Sequence, residues 1–335
     1  MKVSLIIPVY NGAKTIQDLL ASICEQDFPL QDLEVIIADG MSTDGTREKI
    51  AEFAEAVPEL RISVIDNPER KRPTALNLAI QEASGDYILR MDAHSFPHPD
   101  YIKYCLRALE AGKGDNVGGV ILPKPADESW IARAIAVAAG HPLAVGDAGY
   151  RTGSSAREVD TVPFGAFHRT LIDRIGGFDE TLLINEDYEF NVRVRQSGGV
   201  IWLDPAIRAT YTSRRTLAEL AVQYWNYGFW KLRMLLRYPE TMRWRQLSGF
   251  FVLSWLVLGI LSIWLPPARW LLAAEALIYG GALFYSGIRS AVSEKDPGLL
   301  VGLPLAIAAM HFSWGSGFLW SLISRSFDKI DRKSD

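Results

Sequence analysis

Five polar residues stand where apolar segments end or begin, and their side chains are of types that perform chemistry. They are Asp39, the pair Asp92 and His94, and the pair Glu186 and Asp187. Carboxylates and imidazoles bind divalent cations and transfer protons. The fold must bring these remote groups together for that chemistry to happen.

Asp92 and His94 are two residues apart, directly after the apolar run 87–91. Just beyond an extended strand, this spacing lets both side chains converge on one divalent ion. A carboxylate oxygen suits Mg²⁺ or Mn²⁺, and an imidazole favours Mn²⁺. Such an ion would neutralise a diphosphate leaving group without a proton transfer. A single Asp-x-His also arises often by chance, so the spacing alone leaves a structural role open.

Asp39 ends a second apolar run and is followed by Gly40 and Ser42. An acidic residue at the end of a strand can hold a ribose hydroxyl or a base edge, and glycine lets a ligand approach the backbone closely. The same residues equally describe a turn in which Ser42, Thr43 or Asp44 caps the next helix. A dinucleotide fold is disfavoured, because no Gly-x-Gly-x-x-Gly follows the first apolar run.

Glu186 and Asp187 start a segment whose apolar residues recur at helical spacing. Acidic residues at a helix N-terminus are commonly caps or partners of the helix dipole. A carboxylate that faces a pocket would instead take the proton from an attacking hydroxyl. The residues alone leave both interpretations open.

The bulk composition limits the class of protein. The chain has 335 residues, 49% of them hydrophobic and 22% charged, so it can bury a core and is not disordered as a class. A net charge of −4 gives no reason to expect nucleic acid as a partner. Cys24 and Cys105 lie in amphipathic helical patterns and are expected to be thiols in a reducing compartment. The amino terminus has no signal-peptide pattern, so the first domain is expected in the cytoplasm.

The first 125 residues alternate short apolar runs with helical patterns. Strands are predicted at 3–8, 33–38, 62–65, 87–91 and 117–122, and helices at 15–26, 46–56, 74–83 and 100–111. This alternation predicts an α/β fold with a parallel sheet that is covered on both faces. Such sheets place ligands at the carboxyl ends of the strands, where Asp39 and Asp92 lie.

Residues 126–160 differ from the alternating region. A helix is predicted around 128–139, and a stretch rich in glycine, serine and charge follows it. A long irregular stretch in a compact domain is either functional or disordered. We favour a mobile loop over the active site.

From residue 206 to residue 246 the chain becomes basic and aromatic. Three apolar stretches follow, at 247–265, 270–288 and 299–323. The basic segment predicts helices on an anionic membrane surface, and each apolar stretch is close to the ~20 residues that cross a bilayer. The positive-inside rule places the basic segment in the cytoplasm, but three crossings would put a tail with Arg332 and Lys333 outside. Two or three crossings are therefore expected, and buried core helices are the alternative.

Four blocks of the sequence, taken together, resemble a known family. They are SLIIPVYNGAKTI, ADGMSTDGT, MDAHSFPHP and GGFDETLLINEDYEF. In order and spacing they are similar to glycosyltransferase family 2, over about residues 1–215. The resemblance implies a GT-A (Rossmann-like, mostly parallel) catalytic domain at 1–215, amphipathic interface helices at 216–246 and a transmembrane bundle at 247–325. Within the family, VDTVPFGAFHR, NEDYEFNVRVRQSGGVIWLDP and the three-span tail resemble the succinoglycan-type exopolysaccharide glucosyltransferases.

The resemblance also implies roles for the matching residues. Pro8, Tyr10 and Asp39 would line the base and ribose site, and Asp92 would bind the metal and the sugar diphosphate. The donor-binding set is Pro8, Tyr10, Asp39, Gly40, Ser42, Arg70, Lys71 and Asp92. Arg70 and Lys71 can equally be solvated surface charges. Asp187 would be the catalytic base, with Glu186 beside it.

Two departures from the family pattern bear on these roles. His94 replaces the second Asp of the family's Asp-x-Asp motif, so the identity of the metal, Mg²⁺ or Mn²⁺, and the metal dependence are open. Gln223 heads QYWNY without the Arg-Trp that polymerising synthases carry. A processive polymerase is therefore disfavoured.

The expected reaction is an inverting transfer of a hexose such as glucose from a nucleotide sugar, with a UDP-sugar as the expected donor. A polyprenyl-diphosphate-linked oligosaccharide at the cytoplasmic face of the inner membrane is the expected acceptor, as in exopolysaccharide assembly beside other glycan-assembly proteins. Polyprenyl phosphate, ceramide or diacylglycerol is the alternative acceptor. From other classes, a non-catalytic nucleotide-sugar-binding scaffold stays open, and a nucleotidyltransferase is disfavoured because PVYNGAKTI lacks a glycine-rich activating loop.

Overall fold

The computed structural model describes residues 2–146, 149–153, 155–243 and 248–331. The chain forms two compact units. The first contains residues Met1–Leu122 and Ala148–Thr212, and the second contains Pro123–Asp147 and Ser213–Asp335. Arg332 and Lys333 of the predicted tail, and the junction 244–247, lie outside the described residues.

Strands and helices alternate through the first unit, and helices make up most of the second. The strands are β1 (Val3–Val9), β2 (Leu33–Asp39), β3 (Arg61–Asp66), β4 (Tyr87–Arg90), β5 (Ser95–Pro97), β6 (Asn116–Lys124), β7 (Arg157–Glu158), β8 (Ala166–His168) and β9 (Ile201–Thr212). The helices are α1 (Ile16–Cys24), α2 (Thr46–Ala56), α3 (Arg72–Glu82), α4 (Tyr101–Glu110), α5 (Trp130–Gly140), α6 (Pro142–Val145), α7 (Gly149–Thr152), α8 (Thr170–Ile175), α9 (Glu186–Gln196), α10 (Leu217–Arg237), α11 (Ser248–Leu261), α12 (Pro266–Ser293) and α13 (Leu299–Asp331). All nine predicted strands and helices of the first 125 residues form within a few residues of their expected bounds.

The sheet has the strand order β3-β2-β1-β4-β8-β6-β9-β5, and β7 pairs with β9. Strands β1 to β4 pair in parallel, so Asp39 and Arg90 lie at the same edge. Beyond β4 the pairing changes, because β8 inserts between β4 and β6 and is antiparallel to both. The three-residue β8 has no sequence pattern long enough to predict, and the expected parallel run therefore ends at β4.

Apolar side chains pack on both faces of this sheet. On one face α1 and α4 bury Ile16, Leu19 and Ile102 against the strands. On the other face α3 and α9 bury Leu76 and Phe190. Each fully buried side chain of this kind stabilises the fold by about 1.5–3 kcal/mol. The result is a rigid support for the loops at the carboxyl ends of the strands.

The second unit includes a helix that sequence reasoning assigned to the catalytic domain. Ala134, Ile135 and Ala138 of α5 are buried in one cluster with Leu299 and Leu303 of α13. The helix predicted around 128–139 therefore forms, but it packs within the C-terminal unit. The mobile loop predicted to follow it stays a prediction, and part of it lies outside the described residues.

Helices α10 and α13 of the second unit approach each other very closely. A Cβ atom on Gly228 would lie 1.9 Å from the carbonyl oxygen of Trp314, and one on Gly317 would lie 2.0 Å from that of Trp225. Glycines allow this backbone contact, as they do between helices in membranes. The basic, aromatic segment 206–246 thus contains one 21-residue helix, α10, held along α13, whereas its first residues, 206–212, belong to β9.

Two described helices are long and apolar enough to cross a membrane. They are Pro266–Ser293 and Leu299–Ser324, and the most apolar 18-residue stretch of each has a mean hydropathy of 1.4. Only 17% and 39% of these two stretches are buried within the protein, which leaves apolar surface for lipid. The first predicted stretch, 247–265, gives the 14-residue helix α11, which is shorter than the ~20 residues of a span. Within the described residues α11 ends at Leu261 and does not continue into α12, because Leu265, the residue before Pro266, is extended.

Candidate active site

One half of the site lies at the ends of β1, β2 and β3, and Asp39 is at its centre. The Asp39 side chain is fully buried. Its Oδ1 accepts a 2.5 Å hydrogen bond from the Ser42 hydroxyl, and its Oδ2 accepts bonds from the Ser42 amide at 3.0 Å and from Arg47 Nε at 2.5 Å. Both carboxylate oxygens are thus engaged with the protein's own groups. In this arrangement Asp39 orders the loop that begins at Gly40.

Arg47 on α2 connects two strand ends. Its Nη2 also lies 2.5 Å from the carboxylate of Asp66, at the end of β3. Hydrogen bonds from Asp66 and then Asp39 raise the pKa of the Arg47 guanidinium. Sequence reasoning missed Arg47, although a basic residue eight positions after an acidic strand end was a visible signal.

Tyr10 and Arg70 form the exposed part of this half. The Tyr10 side chain is 50% exposed. The Arg70 guanidinium carbon lies 5.2 Å from the centre of its ring, and Arg70 Nη1 lies 3.5 Å from its hydroxyl. Gly40 supports the ring from behind, since a Cβ there would lie 3.2 Å from Tyr10 atoms. An aromatic face beside a cation suits a flat heterocyclic ring with a phosphate attached.

Pro8 and Lys71 contribute less directly to this half. Pro8 is half-buried within β1 and pairs in register with Ala38. Lys71 Nζ lies 2.9 Å from the Glu69 carboxylate on the surface, and this hydrogen bond raises the pKa of Lys71. Lys71 therefore has an ion-pair partner already, whereas Arg70 faces Tyr10.

Backbone strain concentrates around the site. Within the described residues, six non-glycine residues have positive φ, and four of them flank the site, namely Asn11 (51°), Met41 (60°), Arg70 (57°) and Asn185 (69°). Such conformations cost on the order of 1–3 kcal/mol each and cluster at ligand clamps and active sites. The strained positions bracket both halves of the site.

The other half lies beyond β4, where Asp92 faces two arginines. Arg90 Nη2 is 3.3 Å from Asp92 Oδ1, and Arg72 Nη1 is 3.9 Å from Asp92 Oδ2. Burial alone would raise the pKa of Asp92, but the two guanidinium groups hold it well below its usual range. Asp92 is thus a permanent anion in a largely buried setting.

The same two arginines reach the start of α9. Arg90 Nη2 is 2.8 Å from Glu186 Oε1, and Arg72 Nη1 is 3.5 Å from that oxygen. Burial alone would lower the pKa of Arg90, but the carboxylates beside it raise it, so Arg90 stays charged. Sequence reasoning named neither arginine. A charged residue in the otherwise apolar strand YILR was the available signal.

Asp187 follows Glu186 in the first turn of α9. Burial first, and then the negative charge of Glu186, raise the pKa of Asp187, while Arg90 and Arg72 act in the opposite direction. Its Oδ1 accepts a 2.8 Å hydrogen bond from the Tyr188 amide. A carboxyl with a raised pKa, close to one that is always ionised, is the arrangement that separates an acid–base group from an electrostatic one.

The loop that leads to α9 is attached to α3 through Asn77. The Asn77 Oδ1 accepts a 2.7 Å hydrogen bond from the Phe178 amide, and its Nδ2 donates to the Glu180 carboxylate at 2.7 Å. Thr74 donates to the other Glu180 oxygen at 2.9 Å. These residues, which sequence reasoning also missed, attach the segment at Phe178 and Glu180, which ends six residues before Glu186, to α3.

His94 lies within electrostatic reach of Asp92. Its charge contributes to lowering the pKa of Asp92, and its partly buried ring stands edge-on to Tyr211 at 6.4 Å. Within the described residues no three His, Cys, Asp or Glu side chains converge as a complete metal site. Asp92 and His94 can therefore supply at most part of the coordination of an ion.

The two halves are neighbours, because β1 lies between β2 and β4 in the sheet. Arg72 and Arg90 each contact both Asp92 and Glu186, and Asp187 follows Glu186 in α9. Asp39 and Tyr10 occupy the adjacent strand ends.

The chain belongs to glycosyl transferase family 2, whose model matches residues 4–175. It is similar to the succinoglycan biosynthesis protein ExoA of Rhizobium meliloti, with 29% identity over 324 residues that cover 95% of this chain and 94% of that protein. It is also 27% identical, over 96% of this chain and 97% of the relative, to a Methanococcus voltae enzyme. That enzyme is named dolichyl N-acetyl-alpha-D-glucosaminyl phosphate 3-beta-D-2,3-diacetamido-2,3-dideoxy-beta-D-glucuronosyltransferase.

A solved structure has the same fold. It is a mannosyltransferase of Pyrobaculum calidifontis in complex with GDP-Man and Mn²⁺, with a TM-score of 0.61 and 21% identity over 96% of this chain and 87% of that one. At this identity the likeness concerns the fold alone. The GT-A fold and the family predicted from the four sequence blocks are thus confirmed.

Proposed function

We propose that the chain is a membrane-anchored, inverting glycosyltransferase that moves a hexose from a nucleotide sugar to a lipid-linked acceptor. The observation that carries this proposal is the cluster at the end of β4, in which Arg72 and Arg90 each contact Asp92 and Glu186, and Asp187 follows Glu186. In this cluster the pKa of Asp92 is lowered and that of Asp187 is raised. One carboxylate stays ionised next to the leaving group, and the other takes a proton from the acceptor.

The nucleotide binds at the exposed half of the site. The base stacks on Tyr10 beside Arg70, and Gly40 lets the ribose approach the backbone. Asp39 contributes to nucleotide binding indirectly, because its carboxylate accepts hydrogen bonds from Ser42 and Arg47 and holds these two residues in place. A UDP-sugar is the expected donor, and the Pyrobaculum neighbour, whose structure contains GDP-Man, supports a sugar nucleotide of this kind.

A divalent cation fits the donor set at the end of β4. One ionised carboxylate, Asp92, and one imidazole, His94, would hold Mg²⁺ or Mn²⁺, and the imidazole favours Mn²⁺. Ions bound by so few protein ligands complete their shell with substrate phosphates and water. When bound, the ion neutralises charge on the diphosphate leaving group. The Mn²⁺ in the Pyrobaculum neighbour supports this assignment.

Asp187 removes the proton from the attacking hydroxyl. Its raised pKa makes it a stronger base than an exposed aspartate, and Glu186 contributes to that rise. Arg72, whose side chain is 43% exposed, can meet the donor diphosphate beside Asp92. A single base acting opposite the leaving group gives inversion at the anomeric carbon, by the logic known for inverting glycosidases.

The acceptor is inferred from the chain's own membrane helices. The catalytic sequence continues into α10 and two candidate spans, which supports transfer near a membrane surface, and by the positive-inside rule the basic residues support a cytoplasmic location of that surface. One relative is named for the biosynthesis of succinoglycan, and the other is named for transfer to a dolichyl-linked sugar phosphate. A polyprenyl-diphosphate-linked oligosaccharide is therefore the proposed acceptor.

Incubation of native membranes with a panel of radiolabelled nucleotide sugars tests the proposal. We expect one donor to release its nucleoside diphosphate and to label a mild-acid-labile lipid that carries several sugars. A label on a single sugar would indicate direct transfer to polyprenyl phosphate, and an acid-stable product would indicate ceramide or diacylglycerol. Donor binding without release of nucleoside diphosphate would contradict an enzyme and indicate a scaffold.

A further inference from the structure

Arg90 is a fully charged residue at the end of a buried strand. Its side chain is 3% exposed, and its neighbours Ile88 and Leu89 are fully buried. One nitrogen, Nη2, contacts both Glu186 at 2.8 Å and Asp92 at 3.3 Å. A single guanidinium therefore joins the donor side of the site to the acceptor side.

Stability alone does not account for this buried ion pair. Taking charges out of water costs several kcal/mol per ion, and apolar replacements of such pairs are often neutral or stabilising. Moreover, Arg90 Nε and Nη1 make no hydrogen bond to the described part of the chain. The guanidinium is thus held by its two carboxylates and by the Phe178 ring, 5.9 Å from its central carbon.

The first turn of α9 is also anchored by the Tyr188 hydroxyl, which donates a 2.9 Å hydrogen bond to Asp160. Asn185 precedes the helix with a positive φ of 69°, and its side chain makes no capping hydrogen bond. The first helical hydrogen bond runs from the Glu189 amide to the Asn185 carbonyl at 2.9 Å. Glu186 is the first-turn residue that is tied by charge to other elements, to Arg90 on β4 and to Arg72 on α3.

We propose that Arg90 is a positioning residue that fixes the first turn of α9, and with it Asp187, relative to Asp92. The effect of this role on catalysis rests on the proposed function. A displacement reaction needs the base and the leaving group held on opposite sides of one carbon, and an error of about 1 Å can cost about 100-fold in rate. Arg90 sets that separation through two contacts of one nitrogen.

The test compares Arg90→Met, Arg90→Lys, Glu186→Gln and the double variant Arg90→Met/Glu186→Gln in the full-length protein in membranes. We expect Arg90→Met to lower kcat about 100-fold, while the KM for the donor changes less than about threefold. Arg90→Lys should retain about tenfold more activity than Arg90→Met, because a single nitrogen makes both contacts. The double variant should be no slower than the slower single variant, since both remove one connection.

Arg174→Met is the matched control. It breaks an ion pair with Asp115 that precedes β6, at the opposite edge of the same sheet. We expect kcat within about twofold of the wild type. An equal loss of kcat in Arg90→Met and in Arg174→Met would overturn the proposal. A double variant whose loss of kcat is the product of the losses in Arg90→Met and Glu186→Gln would also overturn it.

Hydrogen exchange separates this inference from the proposed function. In Arg90→Met the Glu189 amide should exchange about tenfold faster, with α2 unchanged, whether or not any sugar is transferred. If Arg90→Met does not fold, the same exchange measurement is made on the double variant, in which residue 186 carries no charge and Asp92 keeps Arg72 as its partner. Unchanged exchange at Glu189 would refute the anchoring role, whereas wild-type protein that transfers no sugar would refute only the proposed function.

Discussion

The two halves of the site are built in different ways. In the nucleotide half, Tyr10 is half exposed and Arg70 lies over its ring in contact with solvent. In the acid half, Arg90 and Glu186 are almost completely buried, and Asp92 nearly so. Charges in the second half therefore act on one another through a medium of lower effective dielectric constant.

This difference assigns the two halves to different tasks. An exposed aromatic face with a cation binds a ligand that arrives from water, and it needs no unusual pKa. A buried cluster shifts the pKa values of its members in opposite directions, and here the pKa of Asp92 is lowered while that of Asp187 is raised. Substitutions in the nucleotide half should therefore change the KM for the donor, and substitutions of Arg90, Glu186 and Asp187 should change kcat, whereas Asp92 also bears on donor binding through the proposed ion.

Asp187→Asn gives the largest expected effect and is the strictest test of that division. The amide cannot accept the proton, so kcat should fall about 10³-fold, while the donor dissociation constant stays within about twofold. Single-turnover transfer and donor binding by calorimetry measure the two quantities. Asp173→Asn, an exposed acidic residue on α8, should change neither, and loss of donor binding with turnover preserved in Asp187→Asn would reverse the assignment.

Asp92→Ala should show the next largest effect, which is on metal-dependent binding of the donor. Loss of the ionised carboxylate should weaken metal-dependent donor binding by about 10–100-fold, the range seen when support around bound metals is removed. Titrating donor binding with Mn²⁺ and with Mg²⁺ measures this change. A metal titration identical to that of the wild type would show that Asp92 is not a ligand of the ion.

The comparison also explains what the sequence could predict. The nucleotide half is made by short segments directly after buried strands, so Tyr10, Asp39 and Gly40 could be found from local pattern and turn residues. What local pattern could not supply is that Asp39 is saturated by Ser42 and Arg47, because a strand-end carboxylate looks the same whether it faces a ligand or its own chain.

The acid half was predictable only in part. Asp92, Glu186 and Asp187 could be named from their motifs, but their common partner, Arg90, joins segments 96 residues apart. Asn77 is likewise separated from Phe178 by 101 residues. Such partners depend on tertiary packing, which no periodicity encodes. The same reason applies to α5, whose alanine-rich face gave a correct helix but not the unit in which it packs.

Tyr10→Ala tests the exposed half and should have a moderate effect. Loss of the stacking face, worth about 1–3 kcal/mol, should raise the KM for the donor about tenfold with little change in kcat. Tyr10→Phe is the matched control, because it keeps the ring and loses only the hydroxyl 3.5 Å from Arg70. A fall in kcat as large as the rise in KM would indicate that the two halves are not separable.

The smallest expected effect is a shift in the pH dependence of Glu186→Gln. Asp187 must be ionised to act as a base, so activity is lost as the pH falls through its raised pKa. Burial and then the charge of Glu186 cause that rise. Removing the charge lowers the pKa of Asp187, and the acidic limb of the kcat profile should therefore move to lower pH even if kcat at its maximum is reduced.

Glu110→Gln, at an exposed residue on α4, is the control and should leave the acidic limb in place. An unchanged limb in Glu186→Gln would show that the Glu186 charge does not raise the pKa of Asp187, and a shift to higher pH would show an effect of the opposite sign. Either result would mean that the two halves differ in burial but not in the proposed charge coupling.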